Sequence, residues 1–204
     1  SLSASLGSAS QQPSIIMSDT ATPAFLKDSA QILTQTGFAS SQTWYHGTAS
    51  GLLASILRQG LKQSGDSESN QKAKNTMTTI GGSYKENKDP VFLTQSKELA
   101  YYWASQACHA RNKYFAQDEA PVVLAIKLPA ELNNTIQPDV GVAAILLAGQ
   151  NDYLDAVNKI YQDNALQAPQ IDPMTADRMD YLKLLGMAYS QQNIAAEYIE
   201  LVNP

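Results

Sequence analysis

Between Trp44 and Leu61 the chain reads WYHGTASGLLASILRQGL. This stretch narrows the possible folds more than any other. Residues 41–46 are short and aromatic and predict a strand. Leu52, Leu53, Ile56 and Leu57 recur at helical spacing and predict a helix directly behind it, with Thr48 or Ser50 as its cap. Gly60 is expected in a left-handed position at the end of that helix, with Leu61 packing behind. The strand thus delivers a histidine onto a glycine turn that opens a helix. A buried strand has little use for a histidine there, whereas a binding cleft does.

The remaining elements follow the same logic. Thr22-Pro23 predicts a helix start whose apolar face is Phe25, Leu26, Ala30, Ile32 and Leu33, stopped by Gly37. Residues 90–94 (PVFLT) predict a second strand. Ser96 caps a helix expected to run through Cys108, with Glu98 near its start, where a carboxylate suits the dipole. Residues 121–128 (PVVLAIKL) form the clearest strand. Helices are predicted at 140–148, 153–161 and 175–189, the last with Asp177 near its start, and a final strand at 193–202. Residues 64–88 are polar and aperiodic and predict a long surface loop. Residues 1–20, rich in Ser and Gln, predict a disordered leader, which leaves one domain over 21–204. Strands and helices alternate without regular βαβ spacing, so the fold class is α+β.

Composition removes several functions. The 204 residues carry a formal net charge of −5, and charged residues make up 16%. Such a chain is not built to neutralise nucleic-acid phosphates. One cysteine, Cys108, excludes an internal disulfide and a cysteine-based zinc site. The two histidines, His46 and His109, are far apart, so no metal is expected. The longest apolar run, 140–148, is far short of the ~18 residues that span a bilayer. No cleavable signal peptide is visible. The first residue is Ser, so the start reads as a cut or processed end.

Four motifs line up: Tyr45-His46-Gly47-Thr48 at a strand end, the amphipathic helix closed by Gly60-Leu61, the strand–turn–helix unit VFLTQSKELAYYWA, and Glu197-Tyr198-Ile199-Glu200 on the last strand. Together, over most of 43–202, the series resembles the ADP-ribosyltransferase superfamily. The closer likeness is to the His-Tyr-Glu branch shared by diphtheria-like toxins and poly(ADP-ribose) polymerases. That resemblance implies a split mixed β-sheet core with flanking helices, and NAD as substrate, bound without a Rossmann glycine loop. His46 would hydrogen-bond the adenosine ribose. Gly47 would let the NAD backbone approach closely, and Thr48 would fix the turn or donate to the ligand. Tyr102, or else its neighbour Tyr101, would stack on nicotinamide, and Phe92 would be a further cleft aromatic. Glu197 would be the catalytic carboxylate. Glu200, three residues on, is the alternative, since only one of the two can face the cleft from a strand.

Two neighbouring branches fit less well. The arginine-specific toxins want Arg on the first strand and Glu-x-Glu on the last. The RNA 2′-phosphotransferases want basic residues around their histidine, and Trp44, Tyr45, Ala49 and Ser50 are uncharged. Ordinary roles are expected elsewhere: Cys108 as a small buried hydrophobe, His109 as a helix-end cation, and Asp172, Asp177 and Asp180 as helix-start acids. Arg58 and Arg111 are free cations available to a pyrophosphate.

The expected function is mono-ADP-ribosylation of a protein, with nicotinamide released and no metal used. The small size and polar leader fit a monomeric, secreted bacterial effector acting on a host protein in the host cytoplasm, with ubiquitin among the conceivable acceptors. A cytoplasmic bacterial protein is the other placement. No nucleic-acid partner and no membrane span are expected. Residues 139–180 exceed a minimal transferase core and are expected to recognise the acceptor. The competing expectations are a nucleotide-processing relative of the 2′-phosphotransferase kind and a non-catalytic NAD-binding or protein-interaction module.

Overall fold

The computed structural model describes residues 21–63, 90–148 and 152–204. The expected leader at 1–20 and loop at 64–88 lie outside the described residues. Where one amphipathic helix was predicted after Thr22, the chain makes a 3-10 turn (Ala24–Leu26), a one-turn helix α1 (Ser29–Ile32), and a hairpin of β1 (Leu33–Thr34) and β2 (Gly37–Phe38). The Thr34 hydroxyl donates to the Gly37 carbonyl at 2.9 Å and accepts from the Thr36 amide at 3.2 Å. Such local side-chain bonding competes with a helix ladder and here replaces it.

Next come β3 (Thr43–Ala49), α2 (Ser50–Gln59), β4 (Val91–Leu93), α3 (Lys97–Phe115) and β5 (Pro121–Lys127). The second half holds α4 (Ala130–Asn133), β6 (Gln137–Pro138), α5 (Val140–Ala148), α6 (Asp152–Asp163), α7 (Arg178–Lys183), β7 (Ala188–Ser190), a 3-10 turn (Ala196–Tyr198) and β8 (Ile199–Leu201). The class is α+β with antiparallel sheets. One sheet has the order β3-β5-β8 and another β4-β7-β6, three strands each. Among the described residues they meet at one isolated bridge, Tyr45 to Thr94, whose two amide bonds measure 2.7 and 3.0 Å.

Three further predicted elements change. α3 continues to Phe115 instead of ending near Cys108, so His109 lies within the helix and caps nothing. The helix expected over 175–189 covers only 178–183: Gly186 takes a positive φ of 70°, and the chain leaves as β7. The final strand shortens to three residues because Ala196–Tyr198 forms a 3-10 turn first.

β3 shows how the layers form. Tyr45 packs with Ala100, Tyr101 and Val123, while Trp44 packs with Leu93, Leu124 and Ile126. Alternation therefore puts Tyr45, Gly47 and Ala49 against α3, and Trp44, His46 and Thr48 on the opposite face. The space between the two sheets is filled by Trp44, Leu124, Ile126 and Ile199 from one and Val91, Leu93 and Ala188 from the other. A second cluster, built on Leu99, Tyr153, Val157, Ile160, Tyr161 and Tyr181, joins α3 to α6 and α7.

Helix α2 starts without a side-chain cap from its N-cap residue, Ala49, where Thr48 or Ser50 was expected. Two long-range bonds serve instead. Glu119 Oε1 accepts the Gly51 amide at 3.0 Å, and the Ala120 carbonyl accepts the Ser50 amide at 2.8 Å. At the other end Gly60 has φ 85°, and a Cβ there would stand 2.2 Å from the Ile194 carbonyl. Leu61 then bonds Ile194 in both directions, which ties the end of α2 to the approach of β8.

Candidate functional site

His46 lies in mid-strand, opposite Leu124 of β5, which in turn lies opposite Leu201 of β8. Its Nδ1 is 2.8 Å from the Phe92 carbonyl oxygen. A carbonyl only accepts, so Nδ1 carries the hydrogen and Nε2 keeps its lone pair. Burial lowers the imidazole pKa below its ordinary 6.5, and this outweighs the Phe92 hydrogen bond, which acts the other way. At neutral pH His46 is therefore an uncharged ring of fixed tautomer, with Nε2 able to accept a hydroxyl hydrogen.

Phe92 is held next to it by the short β4 ladder, paired with Tyr189, and its side chain is 37% exposed. Val91 and Leu93 point into the core. Phe92, whose backbone carbonyl fixes the histidine, is thus a predicted site residue that a separate strand brings to His46.

Gly47 has a different neighbour from the one the resemblance implied. A Cβ on it would lie 1.8 Å from the Ala100 carbonyl oxygen and 2.6 Å from the Ala104 nitrogen. The close backbone approach that glycine permits is made by α3. Thr48 is buried, 4% exposed. It lies within β3, paired with Val122, where the sequence predicts a turn, and its burial leaves little room for a ligand contact.

The two tyrosines sit on α3, away from His46. Ala100 and Ala104, fully buried, face β3. Tyr101 follows by one helical step and is buried against Leu26 and Val123. Tyr102 lies on the far side, edge-on to Trp103 at 5.2 Å and to Tyr153 at 5.5 Å. Both tyrosines line a cleft of about 750 Å³ between α3 and α6. Burial pushes the Tyr102 hydroxyl up to about 12, helped by the charges of Asp152 and Asp155. Strand β3 and helix α3 thus separate Tyr102 from His46.

Glu197 is exposed in the 3-10 turn before β8. It follows Ala196, whose nitrogen would stand 3.1 Å from a Cβ at Gly60, at the C-terminal end of α2. Leu201, four residues further on, is the β8 residue level with His46. Glu200 lies opposite Ala125, and its carboxylate pairs with Lys127 at 3.0 Å on the surface. Neither glutamate is brought into the His46 row.

Arg111, read from the sequence as a free cation, donates from Nε to Glu119 Oε1 at 2.9 Å in a buried ion pair. That same Glu119 oxygen receives Gly51, so the pair anchors the start of α2 just after the histidine strand. Nothing local to WYHGTASG points to Glu119, which lies 68 residues away from Gly51. Asp28 is a second group the sequence did not reveal: it is buried and accepts from the Ser96 hydroxyl at 3.1 Å and the Lys97 amide at 2.7 Å.

Among the described residues, no three His, Cys, Asp or Glu side chains gather as a metal-binding group, and no helix is long and apolar enough to cross a membrane. Comparison of the chain with protein-family models, with curated proteins and with solved structures returns no match.

Proposed function

We propose that this protein is an NAD-dependent mono-ADP-ribosyltransferase that modifies a protein acceptor. The observation that supports it most is the state of His46. The ring is neutral, its tautomer is fixed by the Phe92 carbonyl, and it stands beside the joint between the two sheets. An imidazole with a free Nε2 suits the hydroxyl of a ribose, and the exposed Phe92 ring suits a flat base or nicotinamide. In this reading the bond between nicotinamide nitrogen and ribose C1′ breaks, and nicotinamide leaves with the electron pair. The acceptor nucleophile bonds C1′ and gives up its proton. Glu197 is the proposed carboxylate that stabilises the oxocarbenium-like transition state, with Glu200 as the alternative. Tyr102 and Tyr101, which the resemblance gave as the nicotinamide wall, line the α3–α6 cleft away from His46, so Phe92 is the stacking surface of this reading. Host proteins, ubiquitin among them, are the acceptors to try first, in keeping with a secreted effector.

A second reading has its own observation. Tyr102 and Glu197 do not share the His46 face, which favours a non-catalytic module that binds NAD or a protein. Nicotinamide release from NAD, with and without host-cell lysate, separates the two. Release that requires lysate and disappears in Glu197→Ala supports the transferase. Measurable NAD binding with no release under any condition supports the module.

A further inference from the structure

The cleft between α3 and α6 has the size of a ligand site, about 750 Å³. Its wall carries four carboxylates, Glu98, Asp152, Asp155 and Asp163, against two ammonium groups, Lys27 and Lys159. Some of these are already occupied. Lys159 pairs with Asp163 at 2.9 Å, and Glu98 Oε1 receives the backbone amides of Asp28 and Ser29. Asp152 and Asp155 differ: both are exposed, one helical turn apart at the start of α6. Acids at a helix start are ordinary dipole partners. These two also border a cleft lined by Tyr102, itself braced by Trp103 and Tyr153.

A negatively charged guest such as a dinucleotide pyrophosphate does not suit that wall. A long cation does. A guanidinium can lie on the Tyr102 ring while its fork meets Asp152 and Asp155, which a lysine ammonium cannot do with the same geometry. We infer that the α3–α6 cleft docks an arginine-bearing segment of a partner protein, with Tyr102 as the stacking surface and Asp152 and Asp155 as its anchors. The identification of that partner as the ADP-ribose acceptor rests on the reading above; the docking itself does not.

The test uses the full chain and fluorescein-labelled tetra-arginine, tetra-lysine and tetra-glutamate peptides, followed by anisotropy at low and physiological salt. Tetra-arginine should bind more tightly than tetra-lysine, and tetra-glutamate should not bind. The double variant Asp152→Asn/Asp155→Asn should weaken tetra-arginine about tenfold. Asp118→Asn/Glu131→Gln changes net charge by the same amount outside the cleft and should leave binding within twofold. Equal weakening in both doubles would reduce the effect to the overall negative charge and overturn the inference, as would no binding of tetra-arginine to the wild-type protein. Nicotinamide release from NAD by the wild type, measured separately, tells whether the transferase reading stands whatever the peptides do.

Discussion

Asp28 and Glu98 hold the starts of each other's helices. Glu98 Oε1 accepts the Asp28 and Ser29 amides at 3.1 and 3.0 Å, while Asp28 Oδ2 accepts the Lys97 amide at 2.7 Å and Oδ1 the Ser96 hydroxyl. Each carboxylate satisfies amides that a helix leaves unbonded at its first turn. The exchange fastens the N-terminal part of the described chain to α3.

Burial raises the Asp28 pKa above 3.8, against the opposing effect of its hydrogen bonds. The folded state therefore binds the proton more tightly than the unfolded state. This group's contribution to stability improves as pH falls through its raised value toward the ordinary one. Asp28→Asn keeps an acceptor and sheds the buried charge, so it should cost less than Asp28→Ala, which should lose ~1–2 kcal/mol. Urea denaturation of both variants at pH 7 checks the order.

Gly47→Ala should destabilise the fold by ~3 kcal/mol or more, because the new methyl meets helix backbone that cannot rotate away. A thermal melt should show a drop of roughly 5–10 °C for a chain of this size. An unchanged melting temperature with weakened NAD binding would return Gly47 to the ligand role.

His46 has its pKa lowered from 6.5. Between that lowered value and 6.5 the unfolded chain binds more protons, so stability from this group is full above 6.5 and declines as pH falls below it. An NMR titration of the imidazole should give a midpoint below 6.5. His46→Gln should flatten the pH dependence of unfolding over the same range. If His46 binds a ribose hydroxyl through Nε2, NAD affinity should fall with protonation along the titration curve of the ring.

Glu119→Ala removes the carboxylate from its ion pair with Arg111 in a site where both side chains are 7% exposed. Loss of one partner from a buried pair typically costs ~3–5 kcal/mol. The variant should also loosen the first turn of α2, seen as faster hydrogen exchange at the Gly51 amide. Glu119→Gln, which can still accept from Gly51, should protect that amide better than Glu119→Ala.

Cys108 is buried, and burial followed by the Glu119 charge pushes its thiol up to about 11. At pH 8 only about a thousandth of it is thiolate. Reaction with a thiol reagent should follow the unfolding rate, and adding denaturant should release the whole signal.

Periodicity and glycine placement revealed much of the fold in advance. β3, α2, β4, β5, α5 and α6 stand close to where the alternation of WYHGT, the spacing of Leu52 and Ile56, and the run PVVLAIK put them. The first predicted helix was hidden by Thr34, whose turn chemistry competes with an apolar pattern that reads as helical. The last strand was shortened by a 3-10 turn over Ala196–Tyr198, and alternation alone does not show such a turn. For the site, sequence could place His46 near Phe92 only through a motif. It could not show which face of α3 carries Tyr102, because helical phase against the sheet is fixed by Gly47, Ala100 and Ala104 together. Long-range caps such as Glu119 on Gly51 have no local signature at all.

The joint at Tyr45 and Thr94 is slight. Among the described residues, those two amide bonds are all the backbone ladder the sheets share. How the two sheets sit against each other is then set by the side chains packed between them: Trp44, Leu93, Ile126 and Ala188. Core volume acts as the adjusting screw for the surroundings of His46. A methyl removed at Ile126, itself fully buried, would shift how the two sheets sit at the histidine without changing any residue beside it.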